Sequence, residues 1–192
     1  MDKDTLAQRG RSLEEDYFRK KDRELVEKMR AAAVTAAAAD ARDELRQATG
    51  IADPALLQEL QDLGFTPDTM ALLPLVPAVQ TAWAEGGVTE AERHLLVRIA
   101  RTRGIADGSP ADVQLTDWMT RRPDEAVFTR ANRLIRALLD TGSLGDLSAH
   151  DVVQQAEQIA SASGGILGIG KVSGEEKALL AQLNADLSAR RS

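Results

Sequence analysis

The sequence predicts an all-α fold, a compact bundle of about six or seven helices behind a long N-terminal amphipathic helical arm. Three observations carry that expectation. Aromatic residues make up only 3% of the chain while alanine, leucine, glutamate and arginine abound, a mixture that suits helices rather than strands. Helix start and stop signals recur along the whole length, each a hydroxyl or carboxyl residue opening an apolar-periodic stretch that glycine or proline closes. The third observation is a repeat: the stretch from Ala82 to Leu96 returns, degraded, between Gly168 and Leu180. Valine, a hydroxyl residue, glutamate and a Leu-Leu pair keep one offset of 84 residues, from Val88 to Val172 and from Glu92 to Glu176.

The 192 residues, 43% of them hydrophobic, suffice to bury a core. Cysteine is absent, which excludes a disulfide framework, a thiolate zinc site and a cysteine nucleophile. The opening Met1-Asp2-Lys3-Asp4 lacks the apolar core of a signal peptide, and no apolar run reaches the roughly 18 residues of a membrane helix. A cytoplasmic location with no membrane partner is therefore expected. Net charge is −6, balanced over residues 1–50 with 11 basic and 11 acidic groups, but 13 against 19 over residues 51–192. That acidic balance disfavours nucleic acid, since phosphate neutralisation needs clustered cations.

Taken in order, Ser12 with Glu15 three residues on forms a capping-box pattern that predicts a helix start. Leu13, Tyr17 or Phe18, Leu25, Met29 and Ala33 then recur at near-helical spacing among charged residues. So narrow a stripe is expected to lean on a partner, on a second copy in a homodimer, or on the main domain along one seam. The alanine-rich continuation should carry the helix to Gly50, where a domain boundary is expected. Asp53-Pro54 predicts the next start, Gly64 its end, and Thr66-Pro67 a further start. The segment from Met70 to Trp83 is apolar on nearly all sides and is expected to be the central buried helix, kinked or restarted because of Pro74 and Pro77. Thr89 with Glu92 opens a helix to Gly104, and Ser109-Pro110 one with Val113, Leu115, Trp118 and Met119 inward, stopped by Pro123. Helices from about Asp124 to Asp140, from Ser148, and from Ser173 to near Ser188 complete the bundle.

The pattern Glu85-Gly86-Gly87-Val88-Thr89 with Glu92, and its copy around Ser173 and Glu176, resembles the TerB-like family of helical domains associated with tellurite resistance and stress, over about residues 66–188. The resemblance implies a negatively charged, metal-binding site of Glu85, Glu92 and Glu176. This chain departs from the family pattern in two places, with Ile169 where the second turn should be acidic and glutamate at position 85 where aspartate is usual. Three glutamates fall short of the six to eight oxygens a calcium ion takes. The alternative, structural reading is that Glu92 and Glu176 bond the first backbone amides of their own helices.

The remaining candidates are weighed the same way. The loop Ser163 to Gly170 is glycine-rich but lacks the Gly-Lys-Ser/Thr ending of a phosphate cradle, so Ile166, Leu167 and Ile169 are expected to plug the core or face a partner. His94 and His150 have no nucleophile to activate, and Trp83 and Trp118 sit among aliphatics as core residues. Arg130, Arg133 and Arg136 share one side of a helix, with Arg121 and Arg122 just before it. They form either an anion patch or a solvated face paired with Asp124, Glu125 and Asp140. The stretch Phe18 to Lys28 is similar to the opening helix of the zeta-type inhibitor of bacterial ATP synthase, which implies an inhibitory arm. No nucleophile, base and orienting group can be assembled, so the protein is expected not to be an enzyme and to need no cofactor, apart from the divalent cation the family resemblance implies. An interaction or regulatory module is expected, binding a protein partner through Tyr17, Phe18 and Leu25 of the arm or through the Gly-rich loop.

Overall fold

The computed structural model describes residues 3–162 and 172–188, with side chains from residue 17 onward. Among the described residues the fold is all-α, without strands. Eight helices follow in order: α1 (Lys3–Thr49), α2 (Pro54–Asp62), α3 (Val76–Ala82), α4 (Glu90–Thr102), α5 (Pro110–Thr120), α6 (Glu125–Asp140), α7 (Ala149–Ala162) and α8 (Gly174–Ser188). A 3-10 helix at Met70–Leu75 leads into α3. None of these helices is long and apolar enough to cross a membrane.

The chain divides into two compact units, residues 1–43 and 44–192. The last turn of α1 thus goes with the second unit, and Leu45 and Ile51 are buried in that unit's core. The expected helix start at Ser12 is corrected, because α1 is helical from Lys3. Leu6-Ala7-Gln8-Arg9 are good helix formers, and a helix once nucleated extends through a capping pattern in its interior. Its end is as expected: Gly50 takes φ +70° and donates its N–H to the Arg46 carbonyl at 2.9 Å.

In the second unit α3 lies at the centre, with all seven of its residues buried. Helix α7 packs on α3, α4 and α8, while α6 packs on α3, α8 and α2. The buried face of each helix follows its apolar period, as with Phe128, Ala131, Leu134, Ile135 and Leu138 on α6. Helix α5 shows why register matters. Ala111, Leu115, Trp118 and Met119 form its buried face, so Val113, expected inward, projects away and is 63% exposed.

Thr66-Pro67 opens a turn rather than a helix, a second correction. The Thr66 N–H donates to the Thr69 hydroxyl at 2.9 Å, and the Met70 N–H donates back to the Thr66 carbonyl at 3.1 Å. Pro74 then lies inside the 3-10 segment and Pro77 in the first turn of α3, where no intrahelical N–H is needed. The long central helix expected for Met70 to Trp83 is therefore a 3-10 helix followed by a short α-helix. The other starts form as the sequence predicts: Asp53, Ser109 and Asp124 each accept a backbone N–H from the first turn they cap.

Arg101 ties the α4–α5 corner together. Its guanidinium donates to Asp112 at 2.7 Å, to Asp107 at 2.9 Å and to the Ile105 carbonyl at 3.0 Å. The Arg101 hydrogen bond, helped by the Gly108 N–H, holds the Asp112 carboxyl below the usual carboxylate range. A depressed carboxylate contributes stability that is present above its unfolded value and lost as pH falls through its folded value. Arg101→Met is thus expected to flatten the loss of stability on acidification, read by urea unfolding from about pH 6 to pH 3. An unchanged pH slope would contradict this role.

Candidate functional site

The repeated turns meet the expectation placed on them as caps. Glu92 Oε2 accepts the Thr89 N–H at 2.7 Å and the Thr89 hydroxyl at 2.6 Å, and the Glu92 N–H returns to the Thr89 oxygen at 3.3 Å. In the second copy Glu176 Oε2 accepts the Ser173 N–H at 2.7 Å, and the Glu176 N–H donates to the Ser173 hydroxyl at 3.1 Å. Both are complete capping boxes. Ser148 and Asp151 build the same reciprocal arrangement at α7 with a shorter acid.

What the local pattern does not disclose is burial. Glu92 and Glu176, at 2% and 0% exposure, are the two buried charged residues among those described. Burial raises the Glu92 carboxyl above the usual glutamate range, against the Thr89 hydrogen bonds that lower it. The charges of Glu176 and Glu85 raise it further. The arrangement is an acidic corner in which Oε2 of Glu92 and Oε2 of Glu176 are each engaged in capping. Among the described residues no three His, Asp or Glu side chains are placed to share a metal ion.

The other candidates separate. Tyr17, Phe18 and Leu25 lie on α1 with 58%, 62% and 57% exposure, whereas Ile166, Leu167 and Ile169 lie outside the described residues. His94 stands at the surface 3.9 Å from Glu90 on the next turn, and His150 is exposed. Trp118 is buried, packing edge-on against Phe65, and its carbonyl accepts the Trp83 indole N–H at 2.8 Å. The Arg93 guanidinium takes the neighbouring Met119 carbonyl at 3.2 Å, so the end of α5 is satisfied by two side chains of other segments. Of the arginines, Arg122 pairs with Glu125 as expected, and Arg121 with Asp117. Arg130 departs from the expected pairing and reaches Glu59 and Asp62 of α2 instead, at 3.4 and 3.7 Å.

Sequence reasoning missed a polar chain inside the core. Asn132 on α6 and Gln80 on α3 are each 8% exposed, and Asn132 Nδ2 donates to Gln80 Oε1 at 2.9 Å. Gln80 Nε2 in turn donates to Glu125 at 3.3 Å. Because a carboxylate only accepts, this direction fixes both amides and leaves Asn132 Oδ1 buried with no donor. The chain borders a cleft of about 320 Å³ between α3, α6 and α8, which also receives Arg133, Leu183 and Asp186. A signal was present: Gln80 interrupts an apolar run, and Asn132 occupies a core position between Phe128 and Ile135.

Fold and site thus define an all-α helical protein with a buried acidic corner and a separate polar cleft. Comparison with protein families, curated proteins and solved structures finds no match for this chain.

Proposed function

We propose that the protein is a non-enzymatic cytoplasmic interaction module of TerB-like type, in which the N-terminal arm docks onto a protein partner. The supporting observation is the placement of apolar surface: Tyr17, Phe18, Leu25, Val26, Met29 and Val34 of α1 are all between 45% and 70% exposed. At 100° per residue Phe18, Leu25 and Met29 fall within about 40° of arc, a ridge suited to an apolar groove. Six cations (Arg19, Lys20, Lys21, Arg23, Lys28 and Arg30) surround it against three anions (Asp22, Glu24 and Glu27). A second copy burying the same ridge would set these basic stretches against each other in either orientation, so the partner has an acidic rim.

The triple variant Phe18→Ala, Leu25→Ala, Met29→Ala is expected to weaken capture of the natural partner by about a hundredfold or more, with unfolding unchanged. Binding by the unaltered protein should also weaken as salt rises. Capture that survives the triple variant overturns the reading, as does a homodimer in light scattering that the variant dissolves.

A divalent cation held by Glu85, Glu92 and Glu176 is the second reading, which rests on the family resemblance alone, since these three side chains are not placed to share one ion. Calorimetric titration with calcium, magnesium and manganese tests it, and absence of heat at millimolar ion removes it.

A further inference from the structure

We propose that the Asp107–Gly108 linkage between α4 and α5 is a site of aspartate isomerisation, and that Arg101 and Asp112 keep it closed in the folded protein. The sequence supplies the chemistry: this is the chain's single Asp-Gly pair, and no Asn-Gly occurs. Glycine has no side chain to shield its nitrogen and its backbone turns freely, so an aspartate before it is the most open to attack by the main chain. In that attack the Gly108 nitrogen bonds to Asp107 Cγ and gives up its proton, and the carboxyl hydroxyl leaves with that proton as water. Water then opens the cyclic imide. Cleavage on the main-chain carbonyl side leaves isoaspartate, which inserts a methylene into the backbone just before Ser109, the cap of α5.

The folded corner opposes each requirement of this reaction. Gly108 takes φ +69° while Asp107 keeps a negative φ, and the Ser109 N–H donates to the Ala106 carbonyl at 3.2 Å, which makes residues 106–109 a type II turn. Such a turn sets ψ of Asp107 at about +120°, with Cβ and the Gly108 nitrogen turned apart across the Cα–C bond, whereas ring closure needs them eclipsed. The nitrogen is also engaged, its N–H donating to Asp112 Oδ2 at 3.0 Å. Asp112 is a poor base for that proton, because Arg101 and the same N–H hold its carboxyl below the usual range. The electrophile is held as well. Although the Asp107 side chain is 94% exposed, Arg101 donates to it at 2.9 Å, and the carboxylate in this pair lacks the hydroxyl that would leave as water. Arg101 joins the two acids, since it also donates to Asp112 at 2.7 Å.

The test ages the full chain at neutral pH and body temperature, folded and in guanidinium chloride. Isoaspartate is counted by enzymatic methylation and placed by fragmentation mass spectrometry. In the unfolded chain Asp107 is expected to isomerise faster than any other aspartate, and in the folded protein about tenfold more slowly or less. Asp112→Ala frees the Gly108 N–H and Arg101→Met frees the Asp107 carboxylate; each should speed the folded reaction by about threefold or more. Ile135→Val, a mild core truncation on α6, controls for loss of stability and should leave the rate at Asp107 unchanged. The proposal is overturned if another aspartate reacts faster in the unfolded chain, if folding does not slow Asp107, if either clamp variant leaves the folded rate unchanged, or if Ile135→Val speeds it as much.

Discussion

Phe128→Ala is expected to lower the unfolding free energy by about 3–5 kcal/mol, the range for emptying a large buried aromatic position. Phe128 is 1% exposed and belongs to the largest fully buried side chains of the second unit. It sits one turn into α6, whose neighbours α3, α8 and α2 are themselves packed and have little freedom to collapse into the space. Its ring also lies 6.0 Å beneath the Arg122 guanidinium, a contact that alanine loses as well. Urea unfolding of the whole chain measures the effect. A loss below about 1 kcal/mol would mean that α6 does not anchor the bundle.

Glu92 carries the second large expectation. Glu92→Ala removes the acceptor of the Thr89 N–H and hydroxyl and is expected to cost about 1–2 kcal/mol. Glu92→Gln keeps a carbonyl acceptor, since glutamine also serves in a capping box, but removes a buried charge that faces Glu176 and Glu85. At neutral pH this variant should match or exceed the native stability. The pH dependence has a definite sign. Because the folded carboxyl titrates above its unfolded value, its protonated form is the one favoured by folding; the stability it contributes is present at acid pH and lost as pH rises through the folded value. Native protein should therefore gain on Glu92→Gln as pH falls from about 7 to about 4. A difference between the two that stays flat over that range would show that burial and the neighbouring acids do not raise the Glu92 carboxyl.

The acidic corner shows how much of the site was legible. Thr89-Glu92 and Ser173-Glu176 were recognisable as capping boxes because a cap is made within four consecutive residues. That both glutamates would be buried is set by helices distant in the chain. The polar cleft was less legible still, since Asn132 and Gln80 are 52 positions apart and look like ordinary polar residues in apolar helices.

Composition, capping residues and apolar period were sufficient to establish an all-α protein, the order of its helices and most of their ends, because those properties arise from contacts within a few turns. The exceptions were decided elsewhere. Helix α1 overran its capping pattern, Thr66-Pro67 became a turn, Val113 faced outward and Arg130 turned to α2. The overrun of α1 follows from helix propensity along its own residues, whereas each of the other three depends on which competing interaction wins once segments are packed. Tertiary structure alone buried Glu92 and Glu176 and joined Asn132 to Gln80 inside the bundle, because burial and long-range contact are properties of assembled helices and have no local signature.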